Sequence, residues 1–335
     1  MVDLVKYDFL AIGSSVIDIH ARINDIEKVE IRAPSIERLV AISFASKTEL
    51  EDLDTAVGGS ALNSSFTMAH LGSKVALLSA VGNDIFGRKI LAEISKEKVA
   101  SEFIRVKNGK TGIGIDLLSG DGEKSVLVYR GVLKELSPED LPEKAVMQAK
   151  HIFLTSLVSE KSYALFLKAV RLAKKHRRQI VFAPSISMLH AFGDRLKKVH
   201  QHFDMVIMNY EEASLYTGKK TIRSMLTAMP GRICVITKDI DGAYAREGKK
   251  FYHVHSVPVK IKGTIGAGDA FSGAFASEYY RTKSIKEALK TAASIAALKL
   301  QHVAAVFHPR INELADFMKK NCCKLRVQEI GGKDA

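Results

Sequence analysis

The chain has 335 residues, enough for one large or two small domains, and its hydrophobic content of 47% can fill a sizeable core. It has no apolar run of the roughly 18 residues that a membrane span needs, no signal-peptide pattern at the N-terminus, and three cysteines (Cys234, Cys322, Cys323) without metal or disulfide spacing. The net charge of +13 is scattered and not interleaved with aromatic residues, so we expect a cytoplasmic protein without nucleic-acid or membrane partners.

Short β-branched runs alternate with helical patterns along most of the chain. In chain order, we predict strands at 7–15, 74–82, 151–157, 179–185, 204–209 and 232–238, and helices at 60–72, 84–98, 161–176, 210–218 and 284–301. Apolar strands alternating with helices predict an α/β fold with a mostly parallel sheet covered on both faces. Ligands of such sheets bind beyond the carboxyl ends of the strands.

Two segments interrupt this alternation. Residues 21–53 contain strand-like runs without a helical period, and residues 111–130 read as two strands joined by a turn at 119–123. We predict a small antiparallel sheet formed by 21–53 and 109–130, inserted into a main domain of 1–20, 54–108 and 131–320. This sheet would be a lid over the site or a decorated sheet edge.

A glycine-rich turn precedes a helix that we expect to begin between Ala267 and Asp269. The first amides of a helix lack intrahelical partners and form an anion site suited to phosphate. Asp269 would repel a bound phosphate, but it could take the proton from a substrate hydroxyl while the amides of Gly266, Ala267 and Gly268 hold the transferring phosphoryl group. The alternative is a plain turn followed by an acid that favours the helix N-terminus.

This stretch, "GTIGAGD", resembles the D-T-x-G-A-G-D signature of the ribokinase-like (PfkB-type) carbohydrate and nucleoside kinases. A second family signature appears in "VGGSALNSSFTMAHLG" (57–72) and "AVGNDIFGRKI" (80–90), and the resemblance extends from Tyr7 to about Pro309. It implies a three-layer ribokinase-like fold with a β-sheet lid, which in some members mediates dimers. It also implies transfer of the γ-phosphate of ATP, with Mg²⁺, to a hydroxyl of a sugar or nucleoside.

The resemblance also assigns roles to individual residues. It implies Asp269 as the general base above the anion hole of 266–268, and Glu212 as a residue that holds the metal through water. The substrate would be bound by Asp18, Gly58, Gly59 and Asn63, and the nucleotide by Asn209, Thr237, Gly242 and Thr264.

Several positions depart from the family pattern on the nucleotide side. Gly263, Asp239 and Ala293 stand where the family usually has an acidic or amide residue, a glycine and an adenine-side asparagine. These departures motivate a second hypothesis, a ligand-binding protein of kinase fold with little or no catalysis. The substrate stays open between sugar and nucleoside, whose base could pack on Ile113 or Ile115.

Overall fold

The computed structural model describes residues 5–23, 27–32, 36–41, 45, 47–119, 124–302 and 308–331. The strands are β1 (Tyr7–Ile12), β2 (Val16–Ile23), β3 (Glu27–Arg32), β4 (Ile36–Ala41), β5 (Asp52–Gly58), β6 (Val75–Leu78), β7 (Ala80–Gly82), β8 (Arg105–Lys107), β9 (Ile113–Ser119), β10 (Lys124–Tyr129), β11 (Ala149–Leu154), β12 (Gln179–Phe182), β13 (Met205–Asn209), β14 (Ile233–Lys238), β15 (Gly242–Glu247), β16 (Lys250–Val254) and β17 (Val327–Ile330). The helices are α1 (Ser60–His70), α2 (Ile85–Lys96), α3 (Glu143–Met147), α4 (Glu160–Lys175), α5 (Ile186–Leu196), α6 (Tyr210–Thr217), α7 (Ile222–Ala228), α8 (Ala267–Thr282), α9 (Ile285–Leu300) and α10 (Ile311–Lys320).

The main sheet has the strand order β17-β16-β15-β14-β13-β12-β11-β1-β6. The six strands β6, β1, β11, β12, β13 and β14 run parallel, and the hairpin β15–β16 and strand β17 continue the sheet antiparallel. The parallel part is built from the buried apolar runs that the sequence marks as strands. Because parallel strands point the same way, their carboxyl ends share one edge.

Both faces of this sheet are covered by helices. Along β1, Phe9 and Ala11 pack into one apolar cluster with residues of α1, α8 and α9, whereas Leu10 and Ile12 pack into a second cluster with residues of α4 and α5. This alternation follows from the two-residue period of a strand. The result is a three-layer α/β arrangement.

A second, four-stranded sheet has the order β10-β9-β2-β5. It is mixed, and the prediction of an antiparallel sheet was wrong, because β2 pairs with β9 in parallel while β5 and β10 are antiparallel to their neighbours. Strand β2 begins at Val16 and β5 ends at Gly58, so both extend beyond the predicted segment 21–53. Strands β3 and β4 form a separate pair, and 24–26, 33–35, 42–44, 46 and 120–123 lie outside the described residues.

The strand predicted at 74–82 is two strands. Strand β6 pairs with β1, but after Ser79 the chain leaves the main sheet and β7 pairs with β8. The Ser79 carbonyl accepts from the Arg105 amide and its hydroxyl contacts that of Ser15. Within the described residues, no helix has both the length and the apolar character to cross a bilayer.

Candidate active site

The glycine-rich turn starts α8 as the sequence predicts. Gly266 is the N-cap with a left-handed φ of 70°, and the Ala270 amide donates to its carbonyl at 2.9 Å. Asp269 lies in the first helical turn and is half-buried. The Ala267 amide donates to the Thr264 carbonyl at 3.4 Å, a long hydrogen bond. The amides of Gly266 and Gly268 lie on either side of it at the helix start.

Helix α1 holds the Asp269 side chain. Asn63 Nδ2 donates to Asp269 Oδ2 at 3.0 Å, and the Ser64 hydroxyl donates to the Asp269 carbonyl at 3.0 Å. The helices cross closely at Gly273, where an added Cβ would lie 2.7 Å from the Ser64 carbonyl oxygen. Asn63 is 2% exposed, and its Oδ1 is buried with no hydrogen-bond partner among the described residues. That oxygen can accept from a ligand hydroxyl.

The two glycines before α1 are required for different reasons. At Gly59, the α1 N-cap, φ is 104° and an added Cβ would lie 2.7 Å from the Ser14 carbonyl oxygen. At Gly58, an added Cβ would lie 1.8 Å from Asp18 Oδ2. Gly114 on β9 stands on the other side, where an added Cβ would lie 2.7 Å from Asp18 Oδ1. Asp18 is therefore held between two neighbouring strands at positions where each has a glycine and no side chain.

Three adjoining clefts follow the carboxyl ends of β1, β11, β12, β13 and β14. The first has a volume of about 430 Å³ and lies between this edge and the four-stranded sheet, with Asp18, Gly59 and Asn63 in its wall. The second, of about 250 Å³, contains Asn209 and Glu212, and the third, of about 460 Å³, contains Thr237, Gly242 and Thr264.

Asp269 and Gly266 line both the first and the second cleft, and Gly268 lines the second and the third. The glycine-rich turn thus connects the three clefts.

Glu212 has a structural contact as well as a cleft position. In a capping box of α6, Glu212 Oε2 accepts from the Asn209 amide at 2.9 Å, and Asn209 Oδ1 accepts from the Glu212 amide at 2.8 Å. Burial raises the pKa of Glu212 to about 7, and the Asp269 carboxylate adds to the rise, although the Asn209 hydrogen bond opposes it. The two carboxylates therefore interact across the second cleft.

The four residues predicted to bind the nucleotide line the third cleft, as do Asp239 and Ala293. Asp239 has a left-handed φ of 36°, which explains why a glycine would suit that position. Gly242 has a φ of 94°, and an added Cβ would lie 2.1 Å from the Val254 carbonyl oxygen, so the start of β15 lies close against the end of β16. Ala293 contributes to an apolar wall that also contains Val257, Phe271, Ala296, Ala297 and Leu300.

Sequence reasoning missed Lys299 on α9. Its side chain is 2% exposed, and its Cε would lie 3.4 Å from a Cβ added to Gly266. The sequence does contain a pattern that predicts its burial, because Lys299 continues the buried stripe of Ala288, Ala292 and Ile295 at helical spacing. A solvated lysine would not occupy that face.

The first cleft also contains charges that the sequence could not place. Arg130 and Lys134 line it, as does Asp116, whose Oδ2 lies 3.0 Å from His20 Nδ1. Burial lowers the pKa of Arg130, but a guanidinium stays charged.

The idea that a base packs on Ile113 or Ile115 gains no support. The cleft face of β9 carries Gly114 and Asp116, and neighbouring residues of a strand point to opposite faces.

The donor set fits a loosely held divalent cation. The part of the chain that the structure describes has no cluster of three or more His, Cys, Asp or Glu side chains that could hold a metal. Mg²⁺ commonly keeps several waters and is bound by one or two carboxylates together with substrate phosphates. Glu212, a buried carboxyl with a raised pKa beside the helix start, suits that kind of binding.

Comparisons with known proteins agree on one family. A family model described as pfkB family carbohydrate kinase matches residues 32–310. A 5-dehydro-2-deoxygluconokinase of Clostridium perfringens is 29% identical over 297 residues, which is 82% of this chain and 87% of the relative. A deoxyribokinase of Salmonella typhi is 25% identical over 325 residues, which is 94% of this chain and 99% of the relative.

The fold has solved counterparts. The crystal structure of a putative ribokinase II from E. coli in complex with ATP and Mg²⁺ superposes with a TM-score of 0.79. The sequence identity is 21%, and the match covers 94% of this chain and all of the other. At this identity the likeness establishes the fold.

Proposed function

The chain belongs to the pfkB family of carbohydrate kinases, and on that premise we propose that it transfers the γ-phosphate of ATP to a hydroxyl group of a sugar. The observation that carries the proposal is the position of Asp269. Its carboxylate is held by Asn63 at 3.0 Å and lines both the first and the second cleft, at the start of a helix whose amides can bind an anion.

In the proposed reaction the sugar occupies the first cleft. Asp18 and the buried Asn63 Oδ1 accept hydrogen bonds from its hydroxyls, which directs one hydroxyl toward Asp269. That oxygen attacks the γ-phosphorus, the bond to the β–γ bridging oxygen breaks, ADP leaves, and the hydroxyl proton passes to Asp269. The amides of Gly266 and Gly268 stabilise the charge on the phosphoryl oxygens. The Ala267 amide joins them when its long bond to Thr264 opens.

We propose that the nucleotide occupies the second and third clefts. The adenine packs on the apolar wall that includes Ala293, and Asn209, Thr237, Gly242 and Thr264 face the rest of the nucleotide. Mg²⁺, held through water by Glu212 and by the phosphates, would supply charge neutralisation for the transferring group. In this proposal Asp239, which lines the third cleft, accepts a hydrogen bond from a ribose hydroxyl.

The four-stranded sheet is proposed as the lid. Val126 and Val128 of β10 and Gly114 of β9 line the first cleft from that side, so movement of the sheet toward the main domain would exclude water from the transfer.

The charge of the first cleft favours a sugar over a nucleoside. Besides Asp18 and Asp116, which can accept from hydroxyls, the cleft contains Arg130 and Lys134, which can bind a carboxylate or phosphate on the sugar. The nucleoside alternative lacks its proposed contact at Ile113 and Ile115. A substrate with hydroxyls and an acidic group would use every one of these side chains.

A phosphoryl-transfer screen tests the proposal. Purified protein is incubated with Mg-ATP and deoxyribose, ribose, fructose, gluconate-derived sugar acids, sugar phosphates and nucleosides, and ADP and phosphorylated product are both measured. Product with a sugar supports the proposal, and faster transfer to acidic sugars supports the role of Arg130 and Lys134. Transfer to nucleosides alone would overturn the sugar assignment. Binding without transfer to any acceptor would favour a non-catalytic ligand-binding protein.

A further inference from the structure

Lys299 lies beneath the proposed anion hole without a role in the reaction described so far. A Cβ added to Gly266 would lie 3.4 Å from Lys299 Cε and 3.1 Å from Asn63 Nδ2. Both side chains therefore approach one face of Gly266, the N-cap residue of α8. The Asn63 nitrogen is bonded to Asp269 Oδ2, which places the lysine next to the proposed base. The carbonyl of the next residue, Leu300, accepts from the Lys262 amide at 2.8 Å, which ties the glycine-rich turn to the end of α9.

A lysine that is 2% exposed needs compensating negative charge, because an isolated buried ion is very costly. The carboxylates of Asp269 and Asp18 supply it, and both favour the charged form of the lysine. Burial outweighs them and lowers the pKa of Lys299 to about 8. Two histidines also face it, His302 after α9 and His308 before α10. Burial lowers the pKa of each, so both are neutral above pH 7.

We propose that Lys299 is a positioning residue for phosphoryl transfer, whose ammonium group balances the charges of Asp269 and Asp18 beneath the anion hole. Two carboxylates beside the first cleft would repel an incoming phosphate. A cation beside them offsets their charge and lowers the negative potential that the transferring group meets. This inference rests on the proposed kinase function and adds a charge to its site.

The pH dependence of kcat/KM for ATP tests this role, because that ratio reports groups of the free enzyme. In the wild type, kcat/KM should fall as pH rises past about 8, where Lys299 loses its proton. Lys299→Arg keeps its charge, so the fall should move to higher pH. Lys299→Met should lower kcat/KM roughly 10²-fold at pH 7, and its kcat/KM should no longer fall as pH rises past 8. Lys286→Met, an exposed lysine on the same helix, should match the wild type.

A purely structural lysine predicts another outcome. Lys299→Met would then reduce kcat/KM by the same factor at every pH, whereas our proposal expects that factor to shrink above pH 8, where the wild-type lysine has itself lost its charge. A lower Tm in Lys299→Met is expected, because removing one partner of a buried charge group leaves the carboxylates uncompensated. If Lys299→Met does not fold, the charge-preserving Lys299→Arg still decides. An unchanged fall near pH 8 in Lys299→Arg would overturn the proposal.

An NMR titration separates this inference from the kinase assignment. With ¹³C at the lysine ε-carbons, the Lys299 signal is assigned by its loss in Lys299→Arg and should titrate at about 8. In Asp269→Asn the Lys299 pKa should fall further, because one of the two carboxylates that raise it is gone. A Lys299 pKa that Asp269→Asn leaves unchanged would overturn the coupling, even in a protein that phosphorylates no acceptor.

Discussion

The position of Asp18 depends on the absence of side chains at two neighbouring glycines. The carboxylate fills the space where Gly58 and Gly114 would carry a Cβ, and both glycines belong to strands paired with its own. Gly58 therefore contributes to the first cleft through the position of Asp18, in addition to any contact of its own.

Gly58→Ala should displace Asp18, because the new Cβ would lie 1.8 Å from its Oδ2. We expect kcat/KM for the sugar to fall by about 10–10²-fold, the value of one hydrogen bond to a charged group. Steady-state kinetics with the best acceptor of the screen measures this. Gly193→Ala is the matched control, since nothing lies within 4 Å of its added Cβ and it sits inside α5. A wild-type kcat/KM for the sugar in Gly58→Ala would contradict the role of Asp18 in binding the sugar.

Local signals identified some site residues and not others. Asp269 and Asn63 stand in motifs that can be read from sequence, but their contact spans 206 positions and depends on how α1 packs on α8. Lys299 was missed because a lysine is normally read as a surface residue. The sequence contains its apolar stripe, but which face of α9 meets the glycine-rich turn is decided by tertiary packing.

At the scale of elements, Asp84 joins the helix α2 to the start of β9. Its Oδ1 accepts from the Gly87 amide at 2.7 Å, as an N-cap, and from the Thr111 hydroxyl at 2.6 Å, while its Oδ2 accepts from the Thr111 amide at 2.8 Å. Burial raises the pKa of Asp84, but these hydrogen bonds outweigh burial and hold the pKa below its usual range.

Asp84→Ala should lower the free energy of unfolding by about 2–3 kcal/mol, through the lost cap and the lost bonds to Thr111. Because the folded pKa is depressed, this stabilisation is present above the unfolded pKa of about 3.9 and is lost as pH falls through the folded value. Urea unfolding at pH 7 and at pH 3 measures the free energy of unfolding of the wild type and of the two variants Asp84→Ala and Asp84→Asn. The gap between wild type and Asp84→Asn should narrow at the lower pH, and a gap independent of pH would contradict this account.

Elements with local start and stop signals could be predicted, and those set by distant partners could not. Helix α6 has its capping box and its left-handed Gly218 at the C-cap. In contrast, the split between β6 and β7 and the parallel pairing of β2 with β9 depend on contacts far along the chain. The β15–β16 hairpin was missed, since its antiparallel pairing has no counterpart in the strand–helix alternation.

At the scale of the whole molecule, the ribokinase-like fold and the family predicted from the motifs are confirmed. The sheet brings the carboxyl ends of six parallel strands to one edge, and the glycine-rich turn lies where the three clefts meet. The predicted homodimer remains a proposal. Its basis is β10, which ends the four-stranded sheet and exposes Leu127 (56%) and Tyr129 (51%).

An exposed apolar strand at the end of a sheet tends to pair with another chain. We expect a homodimer through this strand at micromolar concentration, and Leu127→Asp should make it a monomer without unfolding it. Light scattering after size exclusion measures the mass. Ile311→Asp, at an equally exposed position (57%) on α10, should stay dimeric. A monomeric wild type would contradict the predicted dimer interface through β10.

The most direct measurement is the single-turnover rate of phosphoryl transfer in Asp269→Asn, with saturating Mg-ATP and the best acceptor. We predict a fall of roughly 10²–10⁴-fold with nearly unchanged binding of ATP and acceptor, because the amide keeps the shape of the carboxylate but cannot accept the proton. Asp194→Asn, a carboxylate exposed on α5, should transfer at the wild-type rate. A wild-type rate in Asp269→Asn would contradict the assignment of this residue as the base.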